Sequence, residues 1–442
     1  AVMGVINILE APIILNALNP YYALHFMLEN KLLAFVALGA VVLATTGAEA
    51  LYADMGHFGR KPIRLAWFAI AFPALVLNYL GQGGLLIKDP SAVENPFFHQ
   101  LGTWSVIPLV ILSTMAAVIA SQATISGTYS MTKQAIALGL LPRMRILHTS
   151  ESEIGQIYIP AVNWLQLAIV LIAVIGFGSS DELAGAYGIA VTATMMATTI
   201  LTFFVTRYRF RLPLAVCLGA TGFFLVIDIM LFASTTLKLF HGGWFPLLLG
   251  TILLTLMLTW KRGRELVFEN LEKHAIPLEA FMESLFVAPP ARVPGTALFL
   301  RGESDGVPDA LLHNLSHNKV LHERVVFLTV HIREEPWVPA QEQVEVVELG
   351  HNCFQVNVQY GFKDEPDIPG ILHQCAGLGL PFEMMETSFF IARQTVISTP
   401  GRGMAPWREH VFAMLSRNAR AAADYYQIPP NRVIELGTQV EI

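Results

Sequence analysis

Seven long apolar segments constrain the fold of this chain more than any other feature. They fall near residues 32–56, 63–86, 104–128, 158–178, 186–206, 212–236 and 244–260. As a helix, each is long enough to cross the roughly 30 Å of hydrocarbon in a bilayer. Lipid offers no hydrogen-bond partners to an open backbone, so segments of this kind cross a membrane as helices. The sequence therefore predicts a mainly α-helical, polytopic membrane protein.

Charged residues divide the chain into two parts. Residues 1–260 hold 23 of the 62 Asp, Glu, Lys and Arg residues, whereas the shorter remainder holds 39. Only the second part approaches the charge content of ordinary soluble domains, which is about 25%. We predict a transmembrane core of about seven spans over 1–260 and a C-terminal domain over 261–442. This composition excludes a single water-soluble enzyme and a disordered chain.

The basic residues of the connections predict the orientation. One alternating set of connections carries twelve: Arg60, Lys61, Arg64, Lys133, Arg143, Arg145, Arg207, Arg209, Arg211, Lys261, Arg262 and Arg264. The other set carries three, namely Lys31, Lys88 and Lys238. Because cytoplasmic loops are enriched in Lys and Arg, we expect the twelve on the inside and a cytoplasmic C-terminal domain.

The net charge limits the possible partners, and the cysteine content indicates the redox compartment. A net charge of −6, without a basic stripe, argues against a nucleic acid partner. Cys217, Cys353 and Cys375 are too few and too scattered for a disulfide framework, which fits a reducing cytosol.

The first apolar segment has an interruption. An apolar half-span runs to Ala44, and the sequence Thr-Thr-Gly-Ala-Glu follows at 45–49. Glycine is unfavourable inside a helix, and threonine can bond to backbone carbonyl groups instead of packing. Secondary transporters use helices broken in this way to bind ions near the middle of the membrane.

Thr46 and Glu49 are the candidate cation ligands at this break. A carboxylate in a membrane costs at least about 2.5–3.5 kcal/mol on insertion scales, so Glu49 favours a cation or proton site. The alternatives are an ion pair between Glu49 and a basic residue and a bond from Thr46 to a backbone carbonyl. For Tyr52, a transport role and a structural role are equally open.

Two further sets of polar residues lie in the apolar segments. Asp228 has no charged neighbour within five residues, so its partner is on another helix or the carboxyl group is neutral. Asp228 has either a functional role with a proton or an ion or a structural role in helix packing. Ser121, Thr124 and Ser126 put oxygens on the inner half of the third span; helix–helix bonding and an ion pathway are both open.

The C-terminal part has the pattern of a mixed α/β domain. Helical spacing runs over 265–290, 369–378 and 405–422, and strand-like runs cover 296–301, 325–332, 344–349, 353–362 and 387–393. His313 and His317 share a helix face, but no carboxylate or cysteine completes a metal set, so no metal is expected there.

Several longer motifs resemble one transporter family. They are TGAEALYADMGHFG (46–59), IASQATISGTYSMTKQA (119–135), HTSESEIGQIYIPAVNW (148–164), GAYGIAVTAT (185–194), HNLSHNKVLHERV (313–325) and IPPNRVIELGTQVEI (428–442). Over all 442 residues the sequence closely resembles the Kup-type potassium uptake transporters (the KUP/HAK/KT family), and the last two motifs resemble its proteobacterial branch.

This resemblance implies a K⁺ importer of the bacterial inner membrane, driven by proton symport. It implies the broken-helix core of the amino-acid/polyamine/organocation superfamily, of which this chain holds the second portion. Thr46 and Glu49 match the K⁺ ligands of the family's sixth helix, and Asp228 matches an acid of its eleventh. By this resemblance the earlier helices are missing, so the chain by itself is expected to be inactive.

Other functions stay open at this point. A cation channel, a carrier for another monovalent cation and a membrane-embedded enzyme are the alternatives, and we expect no enzyme. No cofactor is expected beyond the transported K⁺ and H⁺. The lipid bilayer is the expected environment, and a homodimer is a further partner prediction.

Overall fold

The structure is a computed structural model that describes residues 1–47, 51, 59–100, 102–149, 156–273, 275–302, 306–333, 335–397 and 403–441. The chain forms two compact units. Unit 1 contains Ala1–Tyr129, His148–Tyr158 and Val162–Thr251, and unit 2 contains Ser130–Leu147, Ile159–Ala161 and Ile252–Ile442.

Helices make up the first part of the chain. Three shorter ones come first: α1 (Val2–Glu10), α2 (Pro20–Glu29) and α3 (Lys31–Ala44). Six longer ones follow: α4 (Arg60–Lys88), α5 (Val106–Ala137), α6 (Pro160–Phe177), α7 (Ser180–Phe204), α8 (Leu214–Thr236) and α9 (Trp244–Lys273). Wide turns extend α7 over Val205–Arg209 and precede α9 over Leu239–Gly243. A small sheet pairs β1 (Leu147–His148) with β2 (Ile157–Tyr158).

The membrane class predicted from the apolar segments is confirmed. Within the described residues, six helical segments are long and apolar enough to cross a membrane. The predicted first span, 32–56, corresponds over its first half to the shorter α3. Most of its second half lies outside the described residues.

Local sequence determines where several helices begin. The Asn19 side chain accepts a hydrogen bond from the Tyr21 backbone N–H at 3.0 Å at the start of α2. The Ser179 hydroxyl oxygen accepts one from the Glu182 N–H at 3.4 Å at the start of α7. Side chains of this kind satisfy N–H groups that have no partner within the helix.

A second set of elements makes up the C-terminal part. Its helices are α10 (Leu278–Val287), α11 (Asp309–His317), α12 (Ile368–Cys375), α13 (Pro406–Arg417) and α14 (Ala422–Tyr425). Its strands are β3 (Ala291–Arg301), β4 (Val320–Arg333), β5 (Val344–Gly350), β6 (Cys353–Gly361), β7 (Thr387–Ile397) and β8 (Val433–Glu441).

These strands form one mixed sheet in the order β5-β6-β4-β3-β7-β8. Only β5 is antiparallel to its neighbour. The central strands are apolar on both faces: Leu298 and Phe299 of β3 and Val326 and Phe327 of β4 are fully buried. Parallel strands covered on both faces have this composition, and the predicted α/β class is confirmed.

Two details differ from the sequence prediction. The last strand, β8, was not predicted; it lies parallel to β7 at the sheet edge, where its residues alternate in exposure only weakly. The predicted helix over 265–290 is divided, because α9 ends at Lys273 and α10 starts after Pro277. Proline disfavours a helical conformation in the residue before it, which explains the division.

The buried cysteines of this sheet domain give a direct test of its core. Burial raises the pKa of Cys353 and of Cys375 to about 11, although Arg292 partly opposes the shift at Cys353. Since the thiolate is the reactive form, we expect both thiols to resist iodoacetamide at pH 8 until the protein is denatured. Mass spectrometry of a Cys217→Ala variant measures this, and rapid labelling of the native protein would contradict the buried core.

Candidate functional site

The end of α3 is the first part of the candidate site. α3 stops at Ala44, and Gly47 has φ +115°, a conformation that residues with a Cβ atom rarely adopt. The last four carbonyl groups of an α-helix have no partner within the helix. The chain therefore turns away at the position where these oxygens become available to other groups.

Threonine hydroxyls meet several of these carbonyl groups. Thr45 Oγ1 donates to the carbonyl oxygen of Val41 at 2.9 Å, and Thr46 Oγ1 donates to that of Leu43 at 2.9 Å. The bond to a backbone carbonyl, one of the two alternatives for Thr46, is thus present. A hydroxyl that donates its proton keeps its oxygen lone pairs, so Thr46 can still offer an oxygen to a cation.

Glu49 and Tyr52 lie outside the described residues, so their part in the site stays a prediction. Gly47 and Leu51, on either side of Glu49, are described, and the Leu51 backbone N–H donates to the Gly47 carbonyl oxygen at 3.5 Å.

Tyr79, a residue of α4 that the sequence analysis missed, also reaches the end of α3. Its hydroxyl donates to the carbonyl oxygen of Ala44. Tyr79 stands in the apolar run LVLNYLGQG (75–83), which reads as an ordinary membrane helix. No sequence signal connects it with a residue 35 positions earlier.

Asp228 is buried on α8, with 5% of its surface exposed. Thr199 of α7 donates a hydrogen bond to Asp228 Oδ2 at 2.5 Å. Seven residues away on each helix, the hydroxyl oxygens of Thr192 and Thr235 lie 3.0 Å apart. Seven residues are close to two helical turns, so α7 and α8 share two polar contacts along one antiparallel seam.

Helix α8 also contacts α3 through a hydrogen bond. The Ser234 hydroxyl donates to the carbonyl oxygen of Phe35 at 2.6 Å. A Cβ atom on Gly39 would lie 3.1 Å from Ser234 Oγ, so the two helices approach closely there. Thr46 lies directly after α3, and Asp228 lies on α8, the helix that packs against α3. Each of the two residues has its own hydrogen-bond partners.

Polar residues in the C-terminal half of α5 form hydrogen bonds to α6. Gln166 of α6 donates to Thr128 Oγ1 at 3.5 Å, and the Tyr129 hydroxyl donates to Asn163 Oδ1 at 2.8 Å. Thr124 Oγ1 donates to the carbonyl oxygen of Ala120 at 2.6 Å, within its own helix. A role of Ser121, Thr124 and Ser126 in an ion pathway stays a prediction.

His313 and His317 lie on α11 of the sheet domain. Their rings are stacked with centroids 5.9 Å apart. In the part of the chain that the structure describes, no group of three His, Cys, Asp or Glu side chains could hold a metal ion.

Two family models match the chain. The model described as the K⁺ potassium transporter integral membrane domain matches residues 1–265. The model described as the K⁺ potassium transporter C-terminal domain matches residues 294–442. Together they cover the chain except for residues 266–293.

Curated relatives agree with these models. The chain is 74% identical over 442 residues to the "Probable potassium transport system protein Kup" of Herminiimonas arsenicoxydans and to that of Janthinobacterium sp. (strain Marseille). It is 54% identical to the protein of the same name from Methylibium petroleiphilum. These matches cover all of this chain and 71%, 71% and 70% of the three relatives.

Proposed function

The chain belongs to the K⁺ potassium transporter family, and on that premise we propose that it takes up potassium across a bacterial inner membrane by K⁺/H⁺ symport. The family and its relatives are potassium transport proteins, so the expectation of a transporter rather than an enzyme is confirmed. Alternating access of a site within the membrane is the proposed mechanism.

The proposed cation site depends on the break at the end of α3. The C-terminal end of a helix carries a partial negative charge, which attracts a cation. Thr46 lies at this end, and its hydroxyl oxygen can join the carbonyl oxygens around it. Neutral oxygens of this kind can replace the hydration shell of K⁺. We propose that Glu49 completes the site with a carboxylate.

Glu49 and Asp228 are the proposed proton carriers. The described contacts of Asp228 include one hydroxyl donor, Thr199, which compensates little of the cost of a charge in lipid. We propose that protonation of Glu49 changes which side of the cation site is open, and that Asp228 passes protons along the α7–α8 seam. Ser121, Thr124 and Ser126 are further candidates for the pathway.

The orientation of the protein follows from its basic residues. Twelve of the fifteen basic residues in the connections lie on one side, which we propose is the cytoplasmic side. The sheet domain follows α9 on that side and is therefore proposed to be cytoplasmic. A homodimer remains part of this proposal.

Uptake of K⁺ in bacteria without their own K⁺ importers tests the function. We would compare this chain with the same chain joined to the part of the Herminiimonas protein outside the match. Growth at low K⁺ and uptake that saturates with K⁺ are expected from at least one of the two. A linear, unsaturated rise of uptake would favour a channel, and no rescue by either would contradict the proposal.

Two variants of the active form test the coupling. Glu49→Gln and Asp228→Asn keep the shape of each side chain and remove its titration. We expect uptake below pH 7 to fall at least about tenfold for Glu49→Gln, which corresponds to ~1.4 kcal/mol. We also expect the dependence of uptake on external pH to weaken in both. Unchanged pH-dependent uptake by Glu49→Gln would contradict a proton role at this site.

A further inference from the structure

The last four carbonyl groups of α3 accept hydrogen bonds from residues in two different parts of the chain. Those of Val41, Val42 and Leu43 accept from Thr45 or Thr46, which directly follow the helix. The last carbonyl group, of Ala44, accepts from the hydroxyl of Tyr79 on α4. Tyr79 is thus the one residue from another helix among the hydroxyl donors described at this break.

The chemistry of this contact leaves the Tyr79 oxygen available. A phenolic hydroxyl donates one hydrogen bond and can also accept. Because its proton is directed at the Ala44 carbonyl, its lone pairs face away from that carbonyl. About half of the surface of Tyr79 (46%) is exposed. The lone pairs of its hydroxyl oxygen can therefore face a cation that the Ala44 carbonyl also attracts.

We infer that Tyr79 is a further residue of the cation site, where its oxygen joins those of Thr46 and the end of α3 as a neutral ligand for a weakly hydrated monovalent cation. This inference rests on the proposed function of that same site. Its negative helix end and neutral oxygens suit a large cation that sheds water easily.

The contact also links the movement of two helices to cation binding. Tyr79 is on α4, whereas the carbonyl groups and threonine hydroxyls are at the end of α3. If α4 moves away from α3, one oxygen is withdrawn and the Ala44 carbonyl loses its donor in the same step. The site is therefore complete only while these two helices are together, which is a property that alternating access requires.

Tyr79→Phe tests the inference because it removes one oxygen and keeps the ring. We would measure uptake of K⁺, Rb⁺ and Cs⁺ in the transporting form of the protein, together with the thermal stabilisation of the purified protein by KCl relative to NaCl. We expect KM for K⁺ to rise about 2- to 10-fold, the range expected for loss of one hydrogen-bonding group. The ratio of KM for Cs⁺ to KM for K⁺ should also change, since a ligand is lost.

The matched control is Tyr208→Phe. Tyr208 lies in the turn that extends α7, and its ring stacks on Phe204. This control should keep the KM and the ion preference of the wild type.

The remaining outcomes are decisive in different ways. If Tyr79→Phe lowers only the thermal midpoint and leaves KM and the ion ratios unchanged, Tyr79 only caps the helix and the inference is wrong. If wild type transports K⁺ and Tyr79→Phe is identical to it, the inference is also wrong, while the proposed function stands. If the wild-type protein neither transports K⁺ nor is stabilised by it, the inference and the proposed function are both wrong.

Discussion

Gly47→Ala is expected to lower K⁺ uptake about 5- to 150-fold, because a backbone conformation of this type costs a residue with a Cβ atom roughly 1–3 kcal/mol. Gly47 has φ +115°, and apart from its chain neighbours no atom of the described residues lies within 4 Å of the position its Cβ would take. The strain is therefore in the backbone and not in a clash with a neighbour. Relief of that strain would change the turn that places Thr46.

The control for this variant is Gly222→Ala. Gly222 lies inside α8, and an added Cβ there also meets no atom within 4 Å. Without a positive φ, alanine should be neutral or favour the helix by up to about 1 kcal/mol. We expect normal uptake from Gly222→Ala and a folded protein from both variants, as measured by size-exclusion chromatography. Wild-type uptake by Gly47→Ala would show that the turn at Gly47 does not shape the cation site.

Gly263→Ala is expected to destabilise unit 2 by about 1–3 kcal/mol, the usual cost of overpacking. Gly263 lies on α9, and a Cβ atom added there would lie 2.2 Å from Phe412 Cδ2 on α13. Phe412 is 1% exposed, and its ring also packs on Trp260 with centroids 5.2 Å apart. An added Cβ atom therefore requires a shift of this buried ring, of Trp260 or of the two helices.

A double-mutant cycle isolates this contact. Phe412→Leu alone should destabilise the protein, whereas Gly263→Ala combined with Phe412→Leu should be less destabilised than the sum of the single changes. Thermal unfolding followed with a thiol-reactive dye reports the transition, because Cys353 and Cys375 become reactive when the domain opens. Additive effects of the two changes on stability would mean that the side chains at positions 263 and 412 do not compete for the same space.

Helices and strands were predicted correctly where the residue pattern of a single segment was enough to identify them. Runs of apolar residues predicted the long helices, and α3 ends at the Ala44 position where the polar run begins. The buried strands β3 and β4 were predicted from their apolar runs. Strand β8 was missed because an edge strand is only half covered, so its residues need not follow a clear apolar pattern.

The candidate site followed from sequence only in part. Thr46 and Asp228 were identified because a polar group in a membrane helix is costly and therefore conspicuous. Their surroundings were not identified. Thr199 is 29 positions from Asp228, and Ser234 is 199 positions from Phe35, so no local spacing links them.

The sequence by itself determined the membrane class, the position of the helix break and the family, because each depends on residue types and their order along the chain and not on contacts between distant segments. Only the tertiary structure decided which helices meet at the break. A tyrosine in an apolar helix has the same sequence signature whether its hydroxyl faces lipid, water or a carbonyl group. Tyr79 became part of the site because packing places its hydroxyl against the Ala44 carbonyl, where an unpaired oxygen needs a donor.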